Sequence, residues 1–172
     1  MARIACATAV AAIIAAGARA ETGRPERRPE LPWAAAASAG PGFGFVYATQ
    51  SRLALQAGRR LWGRLELDAE LRLSIGAGLV GLEPALRIGV RFIVGCAELA
   101  LVARGGYGGY RLDEPSNTRW VGATVVGLAT EVRLPLGRSW ELRLLPAACT
   151  GYLTGPLWGL ALEPAAGVAR RF

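Results

Sequence analysis

Enzyme chemistry needs a base, a nucleophile, a metal ligand or a paired acid, and the commonest base is missing from this chain. Its 172 residues contain no histidine, and all 20 basic residues are arginine. That removes His-based triads, His-rich metal sites, Schiff-base lysines and the lysine of a phosphate-binding loop. The serines (Ser38, Ser51, Ser74, Ser116 and Ser139) have no base of suitable pKa to activate them. The acids remain. Two carboxylates can hydrolyse a glycosidic bond, but acids interleaved with arginines at fixed spacing fit a structural charge network better. Gly76-Ala77-Gly78-Leu79-Val80-Gly81 matches G-x-G-x-x-G, yet Leu82-Glu83-Pro84 and a further strand follow where a dinucleotide site requires a helix. The chain is therefore expected to be a non-enzyme with no cofactor and no metal.

The segments around these residues have different characters. Met1-Ala2-Arg3, the apolar run Ile4 to Ala16 and the small-x-small pattern Ala18-Arg19-Ala20 read as a signal peptide over residues 1–20. The apolar run is too short for a spanning helix, which needs about 20 residues. Residues 21–32 hold acids, arginines and prolines with little apolar content, which predicts a solvated linker. The main domain is expected over 33–172.

From Arg64 to Leu79 every even position is charged, Ser or Gly, and every odd position is Leu, Ile or Ala. Only a period of two produces that pattern, although leucine and glutamate favour helix. The same alternation runs through Leu82–Phe92, Val126–Leu136, Trp140–Leu144 and Trp158–Arg171. Glycines at 63, 95 and 137 mark turns at one end. Eight strands follow, over 33–48, 51–61, 64–77, 81–94, 97–110, 119–136, 140–153 and 158–172. An even number of antiparallel strands with tight turns predicts an all-β, up-and-down transmembrane barrel.

Alternation alone leaves open whether the apolar face meets lipid or a protein core. The polar face carries Glu66, Asp68, Glu70, Arg72, Glu83, Arg87, Arg91, Glu98, Arg104, Glu131, Arg133, Glu141, Arg143 and Glu163, with Arg52, Arg60, Arg64 and Arg171 on the same parity. Inside an eight-stranded barrel such groups must pair, and small residues on that face leave room for guanidinium groups. The aromatics fall at strand ends: Trp62, Phe92, Trp140 and Phe172 at one end, and Tyr47, Tyr107, Tyr110, Trp120, Tyr152 and Trp158 at the other. Two such girdles around a leucine band favour lipid. A secreted, lipocalin-like barrel with a small apolar ligand and a narrow passive pore are the alternatives.

Cys96 and Cys149 are expected to be free, buried packing residues. They stand on the order of 25 Å apart in height on their strands, whereas a disulfide needs about 5.5 Å between Cα atoms. The formal charge is +7, but most arginines alternate with apolar residues beside acids, so nucleic acid is not an expected partner. Arg111 and Arg119 flank the polar connection 112–118, where they could meet lipopolysaccharide phosphates.

The strand count, the girdles and the last strand ending on Phe172 resemble the small eight-stranded outer-membrane barrels, the class of the outer-membrane protein A transmembrane domain. The resemblance covers residues 33–172 as architecture. It implies an outer-membrane location in a Gram-negative-type bacterium, lipid partners, a monomer, a structural or envelope-stabilising role, and a terminal strand read by the barrel-assembly machinery. Arg170 departs from the pattern: it takes the lipid-side position two before the end, where an apolar or aromatic residue is usual.

Overall fold

Strands form where β-branched, aromatic and leucine residues alternate with polar or small ones, and they stop at Gly, Pro and Asn. The computed structural model describes residues 32–44, 49–61, 64–114, 117–154 and 157–172, except the side chains of 114, 157 and 158. The signal peptide over 1–20, nearly all of the 21–32 linker, Tyr47, Trp62 and the Trp158 side chain lie outside the described residues. The strands are β1 (Trp33–Gly44), β2 (Gln50–Arg60), β3 (Leu65–Gly76), β4 (Leu79–Val94), β5 (Ala97–Glu114), β6 (Asn117–Pro135), β7 (Trp140–Thr154), β8 (Leu157–Leu162) and β9 (Ala165–Arg171).

Segments β8 and β9 make one stave. Both pair with β7, at Cys149↔Leu162 and Leu142↔Val168, and both pair with β1. Pro164, which has no N–H for the ladder, sits in the break. Every pairing is antiparallel. β1 closes the sheet by pairing with β2 (Trp33↔Arg59 to Gly42↔Gln50) and with β9 (Ala34↔Arg171 to Ala39↔Ala166). The result is an eight-stranded antiparallel barrel, as the periodicity predicts. Tight turns use Gly95 at φ 59° and Gly137 at φ 96° at the Phe172 end and Gly78 at φ 70° at the other, a region an L side chain rarely adopts.

The faces are inverted relative to a soluble protein. Leu71 is 45% exposed and Leu128 70%, and Leu55, Leu86 and Leu101 also lie open on the outer surface. The charged parity points inward, where Glu83, Glu131 and Arg133 are almost wholly buried. A calyx with its leucines inside is excluded by this arrangement.

Some placements differ from expectation. Tyr110 and Tyr152 belong to no girdle; both point into the barrel, at 7% and 8% exposure. Tyr110 follows from parity, since it lies three residues from the outward Tyr107 and so on the opposite face. Tyr152 is turned in by a β-bulge. The β6–β7 register shifts between Thr130 and Val132, and two residues of β7 then oppose one of β6. The inward parity of β7 consequently changes from odd at Arg143 to even at Thr150. Leu79 also points inward, because the Ala77–Gly78 turn ends the β3 alternation before it. Arg64 precedes β3 and is exposed, and Cys96 is exposed in its turn instead of buried; both cysteines are free.

The outward band sets a depth-dependent expectation. Arginine in place of Leu71 or Leu128 should destabilise the barrel by about 2–4 kcal/mol in lipid vesicles, with the cost fading towards zero at Leu65 near the strand end. Urea titrations of folding into vesicles measure it, and a flat cost along β3 would contradict lipid contact.

Candidate functional site

Inward charges on neighbouring staves are brought together by register. At the Phe172 end, Glu98 of β5 accepts from Arg60 of β2 at 2.9 Å and from Arg171 of β9 at 3.0 Å, and it lies 3.5 Å from Arg91. Glu141 accepts from Arg171 at 2.6 Å and from Arg143 at 2.7 Å. This group is the most solvated, with a quarter of the Glu98 side chain open.

The middle layer is drier. Arg133 of β6 grips Glu66 of β3 with both terminal nitrogens, one of them at 2.6 Å, and reaches Glu131 at 3.2 Å. Glu131 also accepts from Arg87 at 2.9 Å and lies 3.5 Å from Arg143. Asp68 lies 3.8 Å from Arg87, and Glu70 accepts from Gln56 at 2.9 Å. Above it, Arg104 spans Glu70 at 3.2 Å and Glu83 at 3.1 Å. Glu163, at the break in the last stave, pairs with Arg52 and Arg72 and accepts from Thr150 at 2.8 Å and Tyr152 at 2.9 Å. All the inward charges named from the sequence thus stand in one connected set, joined by Arg52, Arg60 and Arg171.

Neutral members were not singled out by sequence reasoning. Gln56, Ser74, Thr150 and Tyr152 complete the hydrogen bonding of Glu70, Glu83 and Glu163. Parity would have found Gln56 and Ser74; Thr150 and Tyr152 needed the bulge. Room for the network comes from glycine. A Cβ on Gly58 would strike the Asp68 carboxylate, and one on Gly89 the Glu66 carboxylate.

Beyond Glu163 the lumen becomes apolar. Leu79, Tyr110, Ala123, Val125, Tyr152 and Ala161 form a collar, with Leu112 packed on it. The two tyrosine rings meet edge to face at 5.9 Å, and the Arg52 guanidinium lies 5.6 Å from the Tyr152 centroid. The Tyr110 ring fills the space that side chains at Gly81 and Gly108 would need. Outside, Phe92, Trp140 and Phe172 ring the Phe172 end together with Trp33, which the sequence reading omitted, while Tyr107 and Trp120 stand exposed at the other. Among the described residues no group of His, Cys, Asp or Glu has the makings of a metal site.

Because Glu131 is shared by three arginines, its neutralisation leaves them facing one another in a dry lumen. Glu131→Gln should cost roughly 3–5 kcal/mol, measured by urea unfolding in vesicles; a loss below about 1 kcal/mol would mean that water screens the site.

No protein-family model matches the chain, and no curated protein sequence does. Solved structures match its fold. It is similar to Neisserial surface protein A at 14% identity and a TM-score of 0.68, over 86% of this chain and 100% of that one. The N-terminal β-barrel domain of OprF from Pseudomonas aeruginosa matches at 12% identity and a TM-score of 0.57, covering 81% of this chain and 97% of that domain. The outer-membrane enzyme PagL matches at 16% identity and a TM-score of 0.56, over 80% and 99%. At such identities the likeness is one of fold, and since one neighbour is an enzyme, the fold does not decide catalysis. With paired charges inside and leucines outside, the chain has the fold of the small eight-stranded outer-membrane β-barrels.

Proposed function

We propose that this barrel is a non-conducting, non-enzymatic component of the outer membrane with a structural role in the envelope. The observation that carries the reading is the filling of the lumen. Ion pairs occupy it from the Phe172 end past its middle, and the Leu79–Tyr110–Tyr152 collar follows. A cavity of about 90 Å³ lies beside that collar, and one of about 10 Å³ lies at the other end near Asp68 and Arg143. The smaller one is walled by Glu66, Asp68 and Arg133, and the pairs made by Glu70, Glu83 and Glu163 stand between it and the larger.

The same filling argues against catalysis. The Ser74 hydroxyl is fully buried and donates to Glu83 at 2.9 Å. The carboxylates are taken up by guanidinium groups, and the chain has no histidine to move a proton. In this reading the outward leucines bind the barrel to lipid, and the terminal β9 strand with Phe172 is the part read during assembly of a monomer.

Planar bilayers test the proposal. Purified, folded protein should give no steady ionic current at moderate voltage, because on this reading paired side chains fill the lumen. Recurrent single-channel steps of fixed size would favour a narrow pore lined by the same arginines and glutamates.

A further inference from the structure

Arg170 has the outward parity of the last stave, and Arg59 has the outward parity of β2. Arg64 projects outward just before β3. All three are exposed, and each lies over an aromatic ring at the Phe172 end. The Arg59 guanidinium is 5.4 Å from the Trp33 centroid and Arg64 is 5.8 Å from Phe92. Arg170 sits between two rings, 5.7 Å from Trp140 and 5.1 Å from Phe172. These pairs follow consecutive staves, from β7 through β9, β1, β2 and β3 to β4, so they form one arc. Among the described residues, none of the three guanidinium groups has a carboxylate partner. At the opposite end, by contrast, Arg111 is tied to Asp113 at 3.0 Å.

An outward arginine is costly in the hydrocarbon layer and cheap only near the headgroups. The ring beside it attracts the guanidinium and holds it at the level of the aromatic girdle. The N–H edge stays open, and its planar fork fits two phosphate oxygens at once. We propose that Arg59, Arg64 and Arg170, each held beside an aromatic ring, form a phosphate-binding belt for anionic phospholipid headgroups in the leaflet at the Phe172 end. Phospholipid is the source because β1 begins and the last stave ends at the Phe172 end, and the two ends of an even-stranded outer-membrane barrel lie together on its periplasmic side, where the leaflet is phospholipid. The belt rests on the lipid-embedded reading of the chain, and it gives Arg170 a role at a position where an apolar residue is usual.

Tryptophan quenching in vesicles tests the belt. The full chain is folded into phosphatidylcholine vesicles with a minor fraction of brominated phosphatidylglycerol or, in parallel, brominated phosphatidylcholine. The relative association constant should favour phosphatidylglycerol by about fivefold, the worth of one well-placed arginine at an anionic surface. Arg59→Gln/Arg64→Gln/Arg170→Gln should abolish the preference while heat-modifiable gel mobility still reports a folded barrel, and Arg111→Gln should keep it. If the triple variant does not fold, Arg170→Gln alone should lower the preference measurably. Equal quenching by both lipids with the parent protein overturns the belt and leaves the barrel standing, since folding is read separately. A preference unchanged by the variants also overturns it, as does displacement of phosphatidylglycerol by purified lipopolysaccharide. A chain that folds in neither vesicle contradicts the belt and the membrane reading together.

Discussion

An eight-stranded barrel encloses a space that side chains must fill, and here guanidinium–carboxylate pairing fills it. Removing an ion from water costs several kcal/mol, so charges are tolerated in such a lumen only where each meets an opposite partner with good geometry. Arginine suits this task better than lysine because its planar fork serves more than one acid. Arg72 and Arg104 each lie within reach of Glu70, Glu83 and Glu163, and Arg87 of Asp68, Glu70 and Glu131. The rest of the sequence accommodates these forks. β1 presents only Ala34, Ala36, Ser38, Gly40, Gly42 and Gly44 to the lumen, and a side chain on Gly42 would collide with Arg52.

The same pairing fixes register. A slip of one residue would carry Glu66, Asp68, Glu70 and Arg72 into lipid and bring four apolar side chains inside. The cost at each site is large and cooperative, because most of the acids are shared by two or more arginines, as Glu70, Glu83, Glu98, Glu131 and Glu163 are. Two local irregularities are absorbed without breaking the pattern. The β6–β7 bulge brings Thr150 and Tyr152 onto Glu163, and the break at Pro164 leaves Glu163 itself inside. Local irregularity thus supplies the hydrogen bonds that the most crowded carboxylate needs.

Much of this was legible in the sequence. Sixteen residues of unbroken alternation from Arg64 to Leu79 leave only a strand, and charge on one parity with leucine on the other sets the faces of an inverted barrel. Strand ends were less clear. Leu79 continues the alternation in sequence but belongs to the next stave, on the other face. Tyr152 was misplaced because a bulge has no signature in a simple period, and Tyr110 because position at a strand end was weighed over parity. The apolar collar was missed with them. Its members Ala123, Val125 and Ala161 are small or β-branched residues on the inward parity and do not look like a plug until the two tyrosines join them.

Direct coupling between Glu66 and Arg133 is the measurement that tests this account most closely. These residues are 67 positions apart in sequence, and Arg133 contacts both oxygens of the Glu66 carboxylate. A double-mutant cycle with Glu66→Gln and Arg133→Met, read as urea stability in phospholipid vesicles, isolates their interaction. A coupling of about 1–3 kcal/mol, little reduced by salt, is expected for a dry pair in contact. Additivity within about 0.5 kcal/mol would contradict a lumen held together by its buried charges.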